Sequence, residues 1–175
     1  VCLVALGYPA EWTVARPMVR AVRELEAYPG RKLDAILPFE LGAGNTASPM
    51  DAAVQLGAAI VDGDCAGRAI PELSQTTAAI AGIPFAPGAI ADAWGNVLLV
   101  KETASELLTE RIGKLVSIAT KLPDMKAQCA HAGFLMQGRD MKRIVVGGGI
   151  SRALAVGRAI RAALARRADP VAAAA

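Results

Sequence analysis

Short apolar runs that stop at glycine or an acid alternate along this chain with stretches whose apolar residues recur at helical spacing. Val1–Gly7 is continuously apolar and reads as a strand buried on both faces. From Thr13 to Tyr28 the residues Val14, Met18, Val22 and Leu25 fall near helical spacing, and Pro29-Gly30 ends that helix. Leu33–Phe39 predicts a second strand. A glycine-rich turn, Gly42-Ala43-Gly44-Asn45, follows. Ser48-Pro49-Met50-Asp51 then offers an N-cap serine, proline at the first helical position and an early acid. That helix runs to Leu56 and stops at Gly57, and Ala58–Val61 predicts a third strand.

Strand, helix, strand, helix, strand at this spacing is a βαβαβ unit. It predicts an α/β fold with a mostly parallel sheet, right-handed crossovers and helices on both faces. Pro71–Ala81 reads as a helix. Ile90–Ala91 and Val97–Val100 flank Asp92-Ala93-Trp94-Gly95-Asn96, a hairpin signal. Ser105–Leu122 reads as a long helix capped by Ser105. Met125–His131 reads as a strand, Gly147–Gly149 as a loop, and Ile150–Arg167 as a last helix. The expected organisation is one α/β domain over residues 1–168, with a disordered tail over 169–175.

Composition narrows the function classes. The chain has 175 residues, Lys+Arg 19 and Asp+Glu 16, for a net charge of +3. That balance argues against a nucleic-acid binder, which concentrates its basic charge on one face. Hydrophobic residues make up 54% and aromatics only 4%, so the core is built from small aliphatics. The longest charge-free run, Leu73–Ala91, is broken by prolines and glycines, which excludes a membrane-spanning helix there. Three cysteines without CxxC spacing, Cys2, Cys65 and Cys129, fit a reducing, cytoplasmic compartment. The chain opens directly in an apolar run without methionine, which suggests a fragment whose upstream portion is absent. Apolar surface left by absent flanks makes a homo-oligomer the expected state.

Open α/β sheets bind ligands beyond the carboxyl ends of their strands. Strand two ends at Glu40, before Gly42, Gly44 and Asn45. Strand three ends at Asp62-Gly63-Asp64-Cys65-Ala66-Gly67-Arg68, which leads to Pro71-Glu72. If the strands are neighbours, Glu40, Asp62 and Asp64 share one crevice, with Glu72 at its rim. Clustered acids need an offset from a cation, a proton or Arg68. Asp62 and Asp64 are the candidate ligands of a divalent metal ion. The competing reading makes them turn and helix caps, with Arg68 as an ion-pair partner. The Gly42–Asn45 turn either cradles an anion or serves as a tight turn. It matches neither a Walker loop nor GxGxxG. Gly147–Gly149 carries the same two readings, flexible loop or anion site. Cys65 is either a turn filler or a thiol whose pKa Arg68 lowers. His131 reads as a structural or surface histidine, with a catalytic role as the alternative, and the arginines from Arg152 to Arg167 as a solvated helix face, with a partner interface as the alternative.

Several of these residues resemble one known family. Glu40-Leu41-Gly42 with Asn45 and Pro49, then Val61-Asp62-Gly63-Asp64, Gly67-Arg68-Ala69, Pro71-Glu72-Leu73 and Thr76-Thr77 are similar to the S-methyl thiohydantoin desulfurase family. Asp92 with Gly95-Asn96 and Gly157-Arg158-Ala159-Ile160 extend the resemblance to about Ala163. Cys65-Ala66 and Ala43-Gly44 depart from the family pattern. The resemblance implies a hydrolase-like enzyme acting on five-membered cyclic amide or thioamide rings of the hydantoin and thiohydantoin type, and a larger two-domain protein of which this chain is the central portion, truncated at both ends. Chemistry then assigns Asp64, Arg68 and Glu72 to catalysis. Glu40, Gly42, Gly44, Asn45 and Thr76 are assigned to the substrate, a small cyclic amide. The alternative is a non-catalytic small-ligand or anion-binding module, or an accessory subunit of a hydantoinase-like assembly.

Overall fold

The computed structural model describes residues 16–120 and 129–175. The expected strand Val1–Gly7 and the residues 13–15, 121–122 and 125–128 of three other expected elements lie outside those residues.

The fold is α/β. α1 (Pro17–Ala27) starts on its proline and buries Met18, Val22 and Leu25, as their spacing predicts. It lies on a three-stranded sheet of β4 (Gly88–Asp92), β5 (Val97–Val100) and β6 (Cys129–Ala132), in the order β5-β4-β6. Ala89, Ala91, Ala130 and Ala132 form the sheet face beneath α1, and their short side chains let the helix settle close. The hairpin between β4 and β5 is the one read from the sequence. Asp92 Oδ1 accepts from Trp94 N (3.0 Å) and Asn96 N (2.8 Å), and Oδ2 accepts from Asn96 Nδ2 (2.7 Å).

The second and third expected strands appear as β1 (Ala35–Ile36) and β2 (Ala59–Ile60), paired in parallel around α2 (Ala43–Leu56). This is a β-α-β unit, but a mostly parallel sheet is not found among the described residues. The ladders β4–β5, β4–β6 and β3 (Gly63–Asp64) with β7 (Val146–Gly147) are all antiparallel. The chain leaves the parallel pair after two residues on each side, so the parallel register has no length over which to build.

α2 also starts earlier than the Ser48-Pro49 signal predicts. Gly42 is its N-cap, and Pro49 lies inside the helix. Thr46 nucleates the first turn: its Oγ1 accepts from Gly42 N (3.2 Å) and donates to the Glu40 carbonyl (3.3 Å). The helix ends where expected, at Gly57, whose φ of 67° is a left-handed conformation that costs glycine little.

The segment after Pro71 is broken rather than one helix. A 3-10 turn (Leu73–Gln75) is followed by α3 (Thr77–Ile80), capped by Thr76. α4 (Glu106–Ala119) begins on Ser105, whose Oγ accepts from Leu108 N. It turns Thr109, Glu110, Gly113 and Ser117 inward, while Leu107, Leu108, Ile112, Leu115 and Ile118 face outward. α5 (Gly138–Ile144) and α6 (Gly149–Ala165) complete the chain. A second core joins Leu37, Phe39, Cys65, Leu73, Phe85, Phe134 and Ile144, with the rings of Phe85 and Phe134 edge to face at 5.3 Å. Among the described residues no helix is long and apolar enough to cross a membrane.

Candidate functional site

Glu40 and Asp62 each hold a loop against a helix start, and Asp64 closes its own loop. Glu40 is buried at the end of the β1 segment. Its Oε1 accepts from Asn45 Nδ2 and its Oε2 from Ile70 N, so the carboxylate ties the loop after β3 to the first turn of α2. Gly42 and Gly44 lie in that first turn, Gly42 as the cap and Gly44 inside the helix; they are not a separate glycine turn.

Asp62 is exposed, and both of its oxygens are committed to Ser151. Oδ1 accepts from Ser151 N (2.9 Å) and Oδ2 from Ser151 Oγ (2.6 Å). These bonds, the side-chain one first, hold its carboxyl below the usual aspartate value. The Asp62 carbonyl also accepts from Gly148 N (2.9 Å). Asp62 thus fixes the N-terminal turn of α6, which starts on Gly148 with φ 81°. The expected glycine loop at 147–149 is therefore a strand end followed by a helix cap.

Asp64 is fully buried. Its Oδ1 accepts from Ala66 N (2.7 Å) and Gly67 N, which closes the loop toward Arg68. Its Oδ2 is buried and has no hydrogen-bond partner. A Cβ built on Gly149 would lie 3.3 Å from that oxygen and 2.8 Å from Leu41 Cδ1. Asp64 therefore aims its free oxygen at the N-terminal turn of α6, beside Leu41.

Arg68 is exposed, and its Nε donates to the Ala69 carbonyl (3.2 Å). Glu72 is half-buried, with Ser74 Oγ 3.4 Å from its Oε2. Thr76 is buried; its Oγ1 donates to the Leu73 carbonyl (2.8 Å) and accepts from Ala79 N (3.1 Å), a helix cap with both functions used. The structure thus brings Asp62, Asp64 and the Glu40 corner around one loop, and sets Thr76 apart as scaffold.

The donor set does not fit a metal ion. Both Asp62 oxygens are taken by Ser151. Among the described residues no group of three or more His, Cys, Asp or Glu stands close enough together to hold one.

Cys65 faces a different environment from its neighbour Asp64, as alternation along a strand requires. It lines an apolar pocket with Leu37, Phe39, Phe134, Met136 and Met141. Burial pushes its thiol pKa up, which agrees with the turn-filler reading and not with a thiol activated by Arg68.

Two buried polar residues carried no such signal in the sequence. Glu110 accepts from Leu73 N (2.6 Å) and pairs with Lys114 (2.7 Å), which locks the 3-10 turn to α4. The Thr109-Glu110, Gly113, Ser117 spacing within α4 was the available clue, since it marks a polar face too regular for a solvated one. His131 is buried on β6, with Nδ1 unpartnered and its pKa lowered by burial to about 4.

Known proteins agree with the motifs. The N-terminal domain of the S-Me-THD-like family matches residues 8–102, and its C-terminal domain matches residues 102–175. No curated protein matches the chain. A crystal structure of a protein from Chromobacterium violaceum superposes with a TM-score of 0.71 at 27% identity, covering 92% of this chain and 46% of that one. The chain thus spans less than half the length of that protein. With the two domain models of the family matching residues 8–102 and 102–175, the chain belongs to the S-methyl thiohydantoin desulfurase-like family.

Proposed function

We propose that this chain supplies the ring-binding part of an enzyme that hydrolyses five-membered cyclic thioamides of the thiohydantoin type. The observation that carries the reading is Asp64: a fully buried carboxylate with one oxygen unpartnered, in the loop that bears the family motif. A buried carboxylate oxygen without a donor is costly in a folded protein, and a ligand that brings a proton-bearing group removes that cost.

The reaction needs water to add to the ring carbon that bears sulfur. The carbon–oxygen bond forms and the carbon–sulfur bond breaks. In the S-methylated ring that carbon is double-bonded to a ring nitrogen, so one proton of water goes to that nitrogen, the other leaves with methanethiol, and the carbon becomes a ring carbonyl. Arg68, exposed beside the loop, supplies positive charge for the anion that develops at that carbon. Glu72, half-buried, is the carboxylate assigned to take the proton from water. Glu40 and Asn45 hold the corner of the site in place rather than act in the step. These roles use the chain's own groups and need no metal.

The test is thiol release from an S-methylated thiohydantoin, followed with a thiol-reactive dye in a chain carrying Cys2→Ser. Release that is lost in Asp64→Ala, with an unchanged circular dichroism spectrum, supports the reading. Release at the wild-type rate in that variant rejects it.

A further inference from the structure

α4 is built inside out. Its inner face carries Thr109, Glu110, Gly113 and Ser117, whereas Leu107, Leu108, Ile112, Leu115 and Ile118 are each 40–66% exposed. Leu108, Ile112 and Leu115 recur at intervals of four and three, the stripe by which a helix packs on an apolar partner. The helix is locked in this orientation. Glu110 accepts from Leu73 N, Thr109 Oγ1 shares a 2.5 Å hydrogen bond with Thr103 Oγ1, and Gly113 lies against His131. Rolling the leucines inward would break these contacts, so the stripe stays on the outside. At the C-terminal end of the helix exposed Trp94 donates from Nε1 to the Thr120 carbonyl (2.9 Å). Five large apolar side chains on one helix are a patch, and a patch of this kind marks an interaction surface.

Charge and chain length choose the occupant. Arg111 is exposed within the stripe and makes no ion pair among the described residues. A second copy paired about Ile112 sets the two Arg111 side chains within a turn of each other, like charge against like. A bilayer surface selects a helix with a basic flank, but Lys101, Arg111 and Lys114 are matched here by Glu102, Glu106 and Glu110. Folded polypeptide remains. The Chromobacterium violaceum protein shares 46% of its length with this chain, so a body of polypeptide larger than the shared part adjoins it. We propose that the outer face of α4 is the docking surface for that body, joined to this chain or separate. The docked face is apolar opposite Leu108, Ile112 and Leu115 and carries a carboxylate for Arg111. This inference is independent of the ring-enzyme reading.

The test compares one position in two intact proteins. Leu115→Cys is placed in this chain together with Cys2→Ser, and a cysteine is placed at the superposing position of the full Chromobacterium violaceum protein. Labelling by a thiol-reactive dye is read peptide by peptide by mass spectrometry. This chain labels fast at residue 115, where the side chain is 63% exposed. The longer protein labels there about tenfold more slowly or less, because its further polypeptide covers the site. Melting temperatures are the second measurement. Leu115→Glu leaves this chain unchanged, while the equivalent substitution lowers the melting temperature of the longer protein. Equal labelling rates in the two proteins overturn the proposal, and so does an unchanged melting temperature in the longer one. Slow labelling of this chain that becomes fast on dilution assigns the face to a second copy. Protection that appears only with phosphatidylglycerol vesicles assigns it to a bilayer. Either result also overturns the proposal.

Discussion

Gly113 of α4 lies against the imidazole of His131 on β6: a Cβ added at Gly113 would sit 2.1 Å from His131 Cε1 and 2.8 Å from Nε2. The ring is buried on a strand paired to β4 and has no room to retreat. Gly113→Ala sets a helix-propensity gain of about 1 kcal/mol against overpacking of about 1–3 kcal/mol or more, and at this distance overpacking wins. Thermal unfolding should show a net loss of about 1–2 kcal/mol. Gly157→Ala in α6 is the control. Nothing lies within 4 Å of its Cβ, so only the propensity term remains, and the melting temperature should rise. A rise in both variants would mean that α4 does not rest on the ring.

The same burial makes His131 a source of acid sensitivity. Its pKa falls from 6.5 to about 4 because desolvation penalises the imidazolium. The unfolded chain takes its proton near 6.5, and the folded chain only near 4. The stabilisation is therefore whole above pH 6.5, is lost progressively as pH falls toward 4, and levels off below. The full change is about 3 kcal/mol. Urea denaturation of the wild-type chain and His131→Phe between pH 7 and 4 measures it. The variant's midpoint should lack this part of the slope, and parallel slopes would refute the assignment.

Much of this architecture was legible because the signals were local. Asp92 and Asn96 close a turn with their own side chains, Ser105 and Gly57 cap the helices they adjoin, and Met18, Val22 and Leu25 mark a buried stripe. The misses come from tertiary partners. Ser48-Pro49 is a sound N-cap pattern, yet Thr46 and Glu40 start α2 a turn and a half earlier. The polar inner face of α4 defeats an apolar-in rule because Glu110 is held there by Leu73 N and Lys114. At the candidate site the acidic loop was legible as a cluster. That Asp62 is saturated by Ser151 while Asp64 keeps an oxygen free depends on α6, far along the chain, and no spacing within residues 62–72 encodes it.

Asp92 also sets the strength of the hairpin. It is fully buried and accepts three hydrogen bonds from Trp94 and Asn96. Asp92→Ala leaves two backbone N–H groups without their acceptor, at a cost of about 2–4 kcal/mol. Asp92→Asn keeps an oxygen for the backbone bonds and should lose less. Hydrogen exchange reads the mechanism: protection at Asn96 N should fall in the alanine variant before the rest of the sheet opens. Unchanged protection there would show that the β4–β5 ladder holds the turn by itself.

Cys65 should behave as a buried apolar residue in spite of its place beside Asp64 and three residues before Arg68. Desolvation raises its pKa, and Arg68 is turned outward with its Nε on the Ala69 carbonyl. Cys129, also buried, is raised by the same cause. In a chain carrying Cys2→Ser, a thiol-reactive dye at pH 8 should therefore label neither residue while the fold persists. Labelling should start only as denaturant opens the protein, at a rate that follows the fraction unfolded. A Cys65 that reacts quickly in the native chain would place its sulfur in contact with solvent through the pocket lined by Met136 and Met141. The loop from Asp64 to Arg68 would then be open on the side where the structure closes it.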